Sequence, residues 1–359
     1  MPPPLPVPDP LFLPLPPGVL KALLTATFTL HLMAVNLAVG GTILLACHAM
    51  LGRSQDRELL RRLGPILPPA LTFTITLGVA PLLFLQLLYG QFFYTASVLS
   101  AFPWLSVIFL LMGGYVLLYR FVGGGEKPRT FSGLLSALLL AGVGLMLVNV
   151  STLSLRLDAW AAHAAASVHG LRMNHTDPTF WPRYLHMVAS MVAVAGLFLA
   201  AWGAWRKVFF AQSAGLRWFI GATLSQLAWG PWLLLKQPAA VLDPLLAGTS
   251  GASLLLWGSL ACGFLALFMA IPASQEGAQP KAVWPPLGLA GVSVLGMILL
   301  RDKIRDLALG AFGFQVQTLP HRTDWFSTGL FALSLAGLVA LLVLLLRWAN
   351  QSVQGEERP

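Results

Sequence analysis

Runs of about twenty consecutive apolar residues recur along the whole of this chain, and little separates one from the next. A bilayer core is roughly 30 Å thick, and a helix rises about 1.5 Å per residue, so each run is long enough for one crossing. Lipid offers no partners to backbone N–H and C=O groups. Segments of this length therefore satisfy them internally, as helices. The runs fall at 18–51, 65–95, 101–122, 130–157, 179–207, 212–235, 246–272, 283–300 and 326–348. Charged residues make up 10% of the chain and mean hydropathy is +0.76, whereas soluble domains carry about 25% charged residues. The expected fold is all-α: a polytopic membrane protein of about nine transmembrane helices. Residues 1–17 form a proline-rich arm, 18–348 a single transmembrane domain and 349–359 a tail.

The formal net charge is +9. No basic stripe or nucleic-acid motif accompanies it, so the excess reads as the topogenic bias of Lys and Arg toward cytoplasmic loops. With the N-terminus periplasmic and the C-terminus cytoplasmic, 13 of the 22 basic residues fall inside, and the cluster Arg53, Arg57, Arg61 and Arg62 follows the first span directly. This predicts a multi-pass protein of the bacterial inner membrane. Cys47 and Cys262 lie within apolar runs and read as packing residues. No CxxCH motif for covalent c-type haem is present. The start of the chain lacks the basic segment of a cleavable signal peptide.

An ionisable group at membrane depth is costly, and so marks function. Every acidic residue falls in a predicted loop, span end or tail, which argues against a carboxylate proton relay. Three histidines lie within spans. His31 is roughly 20 Å into the first. His48 lies 17 residues further along that helix, about 25 Å down the axis, and so cannot share a metal with it. His186 is one or two turns into the fifth. An imidazole at such depth needs a partner, either porphyrin iron or a neighbouring carbonyl or hydroxyl. Arg183, three residues before His186, shares its helix face and is placed for a haem propionate or for snorkelling outward. Arg301, Lys303 and Arg305 could pair with propionates too, or form a solvated loop with Asp302 and Asp306. Gln86 lies deeper than Tyr94 in the second span and could hydrogen-bond a quinone or a propionate. His163, His169 and His175 fall in a loop over 158–178 and read as solvated, with contact to a partner or a metal as the alternative.

The order of these features resembles subunit I of the cytochrome bd-type quinol oxidases. The resemblance rests on Leu30-His31-Leu32-Met33-Ala34-Val35-Asn36 in the first span, Gly78-Val79-Ala80 leading to Gln86 through Tyr94 in the second, and Pro182-Arg183-Tyr184-Leu185-His186-Met187 in the fifth. It is best over residues 20–235. It implies nine helices with the N-terminus outside, a b-type haem on His186 with a basic residue three positions earlier, and a second haem site on His31. Four features depart from the family. No methionine lies at 255–260, no acid lies between Phe102 and Leu118, basic residues around Arg301 stand where a haem-ligating glutamate is expected, and the quinol-binding loop shrinks to about 236–245.

Those departures remove the expected proton supply for oxygen reduction. The expected function is therefore that of a membrane haem b electron-transfer subunit carrying one or two haems. It would pass electrons between membrane quinol (menaquinol or ubiquinol) and a periplasmic c-type cytochrome, within a hetero-oligomeric complex. His31 and His186 are the expected iron ligands, with Arg183, Gln86 and Arg301 around the cofactors. Two alternatives stay open: a terminal oxidase that reduces oxygen, and a haem-free membrane anchor for periplasmic cytochromes.

Overall fold

The computed structural model describes residues 12–123, 129–167, 169–275, 277–337, 340 and 344. The tail at 349–359 and the first eleven residues of the arm lie outside these. Helix α1 (Pro17–Val35) passes through a π-helical turn, Asn36–Gly40, straight into α2 (Gly41–Leu51). Then follow α3 (Ser54–Leu63), α4 (Leu67–Leu99), α5 (Ala101–Val122), α6 (Thr130–Leu153), the short α7 (Trp160–Ala166), α8 (Phe180–Arg206), α9 (Phe209–Leu235), α10 (Ala239–Leu246), α11 (Gly251–Ala273) and α12 (Trp284–Gly310). Among the described residues there is no strand, only an isolated bridge between Leu13 and His321. The protein is an all-α polytopic membrane protein. Among the described residues, seven helical stretches are long and apolar enough to cross a bilayer. Helix α9 matches them in length, but Gln212, Arg217 and Gln226 make it less apolar. The run expected at 326–348 is helical over Trp325–Gly337 as far as it is described. Phe109, Met112, Phe131 and Phe268 point outward, each more than 60% exposed, a surface suited to lipid rather than water.

Small residues let the spans approach closely, as helices in lipid require. A Cβ at Gly196 of α8 would stand 2.7 Å from the Gly215 carbonyl oxygen of α9. At Gly40 it would meet the Met191 carbonyl of α8 and lie 2.9 Å from the Ala195 Cβ. The π turn ends on this glycine, so the one irregular turn of the first span is also where that span is keyed to α8. Within α4, Tyr89 leaves helical geometry at φ −133°, ψ 24° and bends the end of the helix.

Helix α3 lies at the face where α2 ends. Leu59 is buried from it, and Asp56 is 1% exposed, with its carboxylate accepting from Nδ1 of His48 at 2.7 Å. At the other face, α7 and the segment after it close over the end of α6. There Arg156 reaches Asp177 at 2.7 Å and Asp158 at 2.8 Å.

Three sequence expectations are corrected. The eighth span does not end at 300 but continues as helix to Gly310, so Arg301 through Asp306 are helical and not a loop. Asp302 and Asp306 thus belong, with Arg301, Lys303 and Arg305, to the charged last third of a long helix whose first part is apolar. Their charges are matched across the bundle by Lys21 of α1, which is why a segment that reads as solvent-exposed stays helical. The stretch 236–245 is mostly occupied by α10. His163 is 5% exposed, not solvated, because its Nε2–H donates to the Arg172 carbonyl at 3.1 Å.

Candidate functional site

His31 projects from α1 onto α4. Its Nδ1 is 3.0 Å from the backbone carbonyl of Thr74. A carbonyl only accepts, so Nδ1 carries the proton and the lone pair resides on Nε2. The ring packs flat enough on Gly78 that a Cβ there would come within 2.9 Å of Cε1 and 3.1 Å of Nδ1. An imidazole oriented through Nδ1–H to a backbone carbonyl, with Nε2 free, is the usual preparation of a histidine for metal ligation.

His186 and Arg183 lie on one face of α8, a turn apart, near its beginning. Gly230 of α9 faces the His186 ring, with its Cβ direction 3.8 Å from Nδ1. Nδ1 of His186 and Nε of Arg183 are both buried and have no hydrogen-bond partner among the described residues. Buried polar atoms are almost always paired. They are two of six such atoms among the described residues, the others lying on Asn36, Asn149, Gln212 and Thr328, and they alone are a helical turn apart.

Around them is a charge cluster built from four helices. Lys21 of α1 bonds Asp302 at 2.9 Å and also pairs with Asp306. Tyr89 of α4 donates to Asp306 at 3.1 Å. Arg305 bonds Asp302 at 3.2 Å and lies 4.8 Å over the Tyr89 ring. Arg301 stacks 4.5 Å over Phe28, whose ring is 6.3 Å from that of His31. Arg301, Arg305 and Arg183 are near enough to repel one another. Lys21, Arg183, Arg301 and Arg305 are four cations, and Asp302 and Asp306 are two carboxylates, which leaves a surplus of two positive charges within the helices. Asp177 also attracts Arg183 but is bonded to Arg156.

The cluster thus brings together Arg183 and Arg301, and through Phe28 it reaches His31. It does not take in Gln86, which is half-buried and makes no side-chain hydrogen bond among the described residues. A groove of about 600 Å³ runs beside the cluster between α1 and α12, lined by Lys21, Thr25, Thr29, Leu30, Leu295 and Leu299. His48 has both ring nitrogens engaged, Nδ1 by Asp56 and Nε2 by Trp218 Nε1–H at 3.0 Å, and is a structural residue. Sequence reasoning missed Thr74, Lys21 and Phe28. Each acts through a contact between helices distant in the chain, and only the glycine at 78 gave a local sign.

Among the described residues no three His, Cys, Asp or Glu side chains converge on one point. A porphyrin iron needs one or two axial nitrogens, and its two propionates need cations. The single imidazoles and the surplus of two positive charges fit both demands. The chain matches no family model and no curated protein sequence at a significant level.

Proposed function

We propose that this protein is a haem b electron-transfer subunit of the bacterial inner membrane, similar to subunit I of the cytochrome bd-type oxidases. It carries electrons between membrane quinol and a periplasmic c-type cytochrome, in a hetero-oligomeric complex with its N-terminus periplasmic. The observation that carries this reading is the orphaned pair on α8. His186 Nδ1 and Arg183 Nε, buried one turn apart, lack partners, and axial iron and a propionate would satisfy both. When bound, haem b supplies reversible one-electron chemistry at its iron. The chain's own residues do the rest. The Thr74 carbonyl holds the proton on His31 Nδ1 and keeps Nε2 available. Arg183 and Arg301 neutralise acidic groups that lipid would not tolerate. The apolar spans keep water away. The groove between α1 and α12 is wide enough for a quinone ring. Lys21 lines one end of this groove and can donate to a quinone oxygen, whereas Gln86 does not line it.

A reduced-minus-oxidised spectrum of the full chain purified from membranes is the test. A b-type band is expected, diminished by His186→Ala and by His31→Ala. Absence of any such band from correctly folded protein leaves only the haem-free anchor. Brisk cyanide-sensitive oxygen uptake with reduced quinol would instead make it a terminal oxidase.

A further inference from the structure

At the face opposite the charge cluster, where α2 and α8 end, a second basic site has no role in the redox reading. A hollow of about 590 Å³ is lined by Arg61 and Arg62 of α3, Ile66 from the turn that leads into α4, and Trp202 and Arg206 of α8. Glu58 is the carboxylate that pairs here. Its Oε2 accepts from Arg61 Nε at 2.8 Å and its Oε1 from Arg61 Nη2 at 2.7 Å, and Arg62 Nε also reaches Oε1. Three guanidiniums face one carboxylate, which leaves two positive charges and the outer Nη groups unmatched. Arg206 has its guanidinium 4.7 Å over the Trp205 ring and makes no side-chain hydrogen bond among the described residues.

The surroundings say what kind of anion belongs there. Helix α3 is strongly amphipathic. Leu59 and Asp56 are buried against the bundle, while Arg57, Arg61 and Arg62, with the capping Arg53, point away, so the helix turns a basic face outward. Ile66, which lines the hollow, is 43% exposed, and Trp205, which stacks under the Arg206 guanidinium, is 70% exposed, an apolar rim no soluble ion would use. Indole rings settle at the depth of lipid headgroups, so Trp202 and Trp205 place the three arginines at phosphate level. Guanidinium forks match phosphate oxygens in pairs, and basic pockets between spans bind anionic headgroups.

We infer that Arg61, Arg62 and Arg206 form a specific site for the phosphate of an anionic phospholipid, whose acyl chains lie along Ile66 and the start of α4. Occupancy would clamp α3 to the end of α8.

The test is native mass spectrometry of the delipidated full chain in detergent, titrated with phosphatidylglycerol, with phosphatidylcholine, and with inorganic phosphate as competitor. One phosphatidylglycerol is expected to bind in preference to phosphatidylcholine. Combined Arg61→Gln, Arg62→Gln and Arg206→Gln should weaken it by at least about tenfold. The three Arg→Lys changes should retain a measurable preference, and Arg120→Gln, on the same face outside the hollow, should leave affinity unchanged. Equal binding of the two lipids, or undiminished binding in the triple glutamine variant, overturns the assignment. Displacement by millimolar inorganic phosphate would show a soluble anion to be the ligand and overturn it as well.

Discussion

Gly78 lies directly against the imidazole of His31, so close that a methyl group at that position would stand 2.9 Å from Cε1. The glycine leaves the ring just enough room to reach the Thr74 carbonyl 3.0 Å away. Gly78→Ala should push the ring off that carbonyl, with the loss of a hydrogen bond worth about 1 kcal/mol. It should lower the haem content per chain while leaving the His186 contribution in place. Haem-to-protein ratios and redox titration of the variant check this, and an unchanged ratio with unchanged potentials would count against His31 as a ligand.

His186→Ala and Arg183→Gln should behave differently, although both residues are on one face of α8. On the proposed haem reading, the first removes an axial nitrogen and should abolish one spectral component. The second should leave haem bound but lower its midpoint potential, because a neighbouring cation favours the electron-rich reduced state. Two unit charges about 10 Å apart at an effective dielectric near 20 interact by roughly 1.7 kcal/mol, which corresponds to a fall of about 70 mV for one electron. A rise in potential, or no change, would detach Arg183 from the cofactor.

Gly40→Ala tests how the two histidine-bearing helices are held in register. The added carbon would run into the Met191 carbonyl and Ala195, and neither helix can yield without parting from the other. Overpacking of this kind costs about 2 kcal/mol or more. The expected reading is a fall of several degrees in Tm in detergent, with reduced haem at both sites.

The loop covering the end of α6 should respond to pH in two steps. Burial holds His163 below the ordinary histidine range, partly offset by its bond to the Arg172 carbonyl. A depressed histidine favours the neutral form in the folded state. Its contribution is therefore complete above the ordinary value of 6.5 and is lost as pH falls from there through the lowered one. Hydrogen bonds from Arg156, chiefly, hold Asp158 below the usual carboxylate value of 3.8. Its smaller contribution, discounted because the side chain is half exposed, is lost at more acid pH. Hydrogen exchange over residues 157–179 should show faster opening below about pH 6.5, and His163→Gln should remove that first step alone.

Hydropathy alone placed most spans within a few residues. Helix α5, Ala101–Val122, coincides with its predicted run, because its apolar stretch is bounded by Ser100 at one end and by Arg120 and Gly123 at the other. Failures occurred where a local signal pointed the wrong way. Arg301 through Asp306 reads as a water-facing loop, yet Lys21, 285 residues from Asp306, gives those charges a partner and lets the helix continue. The π turn at Asn36–Gly40 leaves the apolar pattern intact and has no hydropathic trace. Of the site, His31, His186 and Arg183 were legible as ionisable groups at unusual depth. Thr74, Phe28 and Lys21 were not, since their roles exist only once particular helices meet. Arg301 was legible as a charge but not as part of a helix.

The pairing of Leu13 with His321, through Leu13 N–H to the Pro320 carbonyl and Arg322 N–H to the Leu13 carbonyl, each at 2.9 Å, joins the beginning of the described chain to the segment before its last helix. Such a knot between remote parts forms only after most of the polypeptide has left the ribosome. The beginning of α1 is thus tied twice, by side chains from Lys21 to α12 and by backbone from Leu13 to the segment after it, so that loosening either tie alone leaves the other in place.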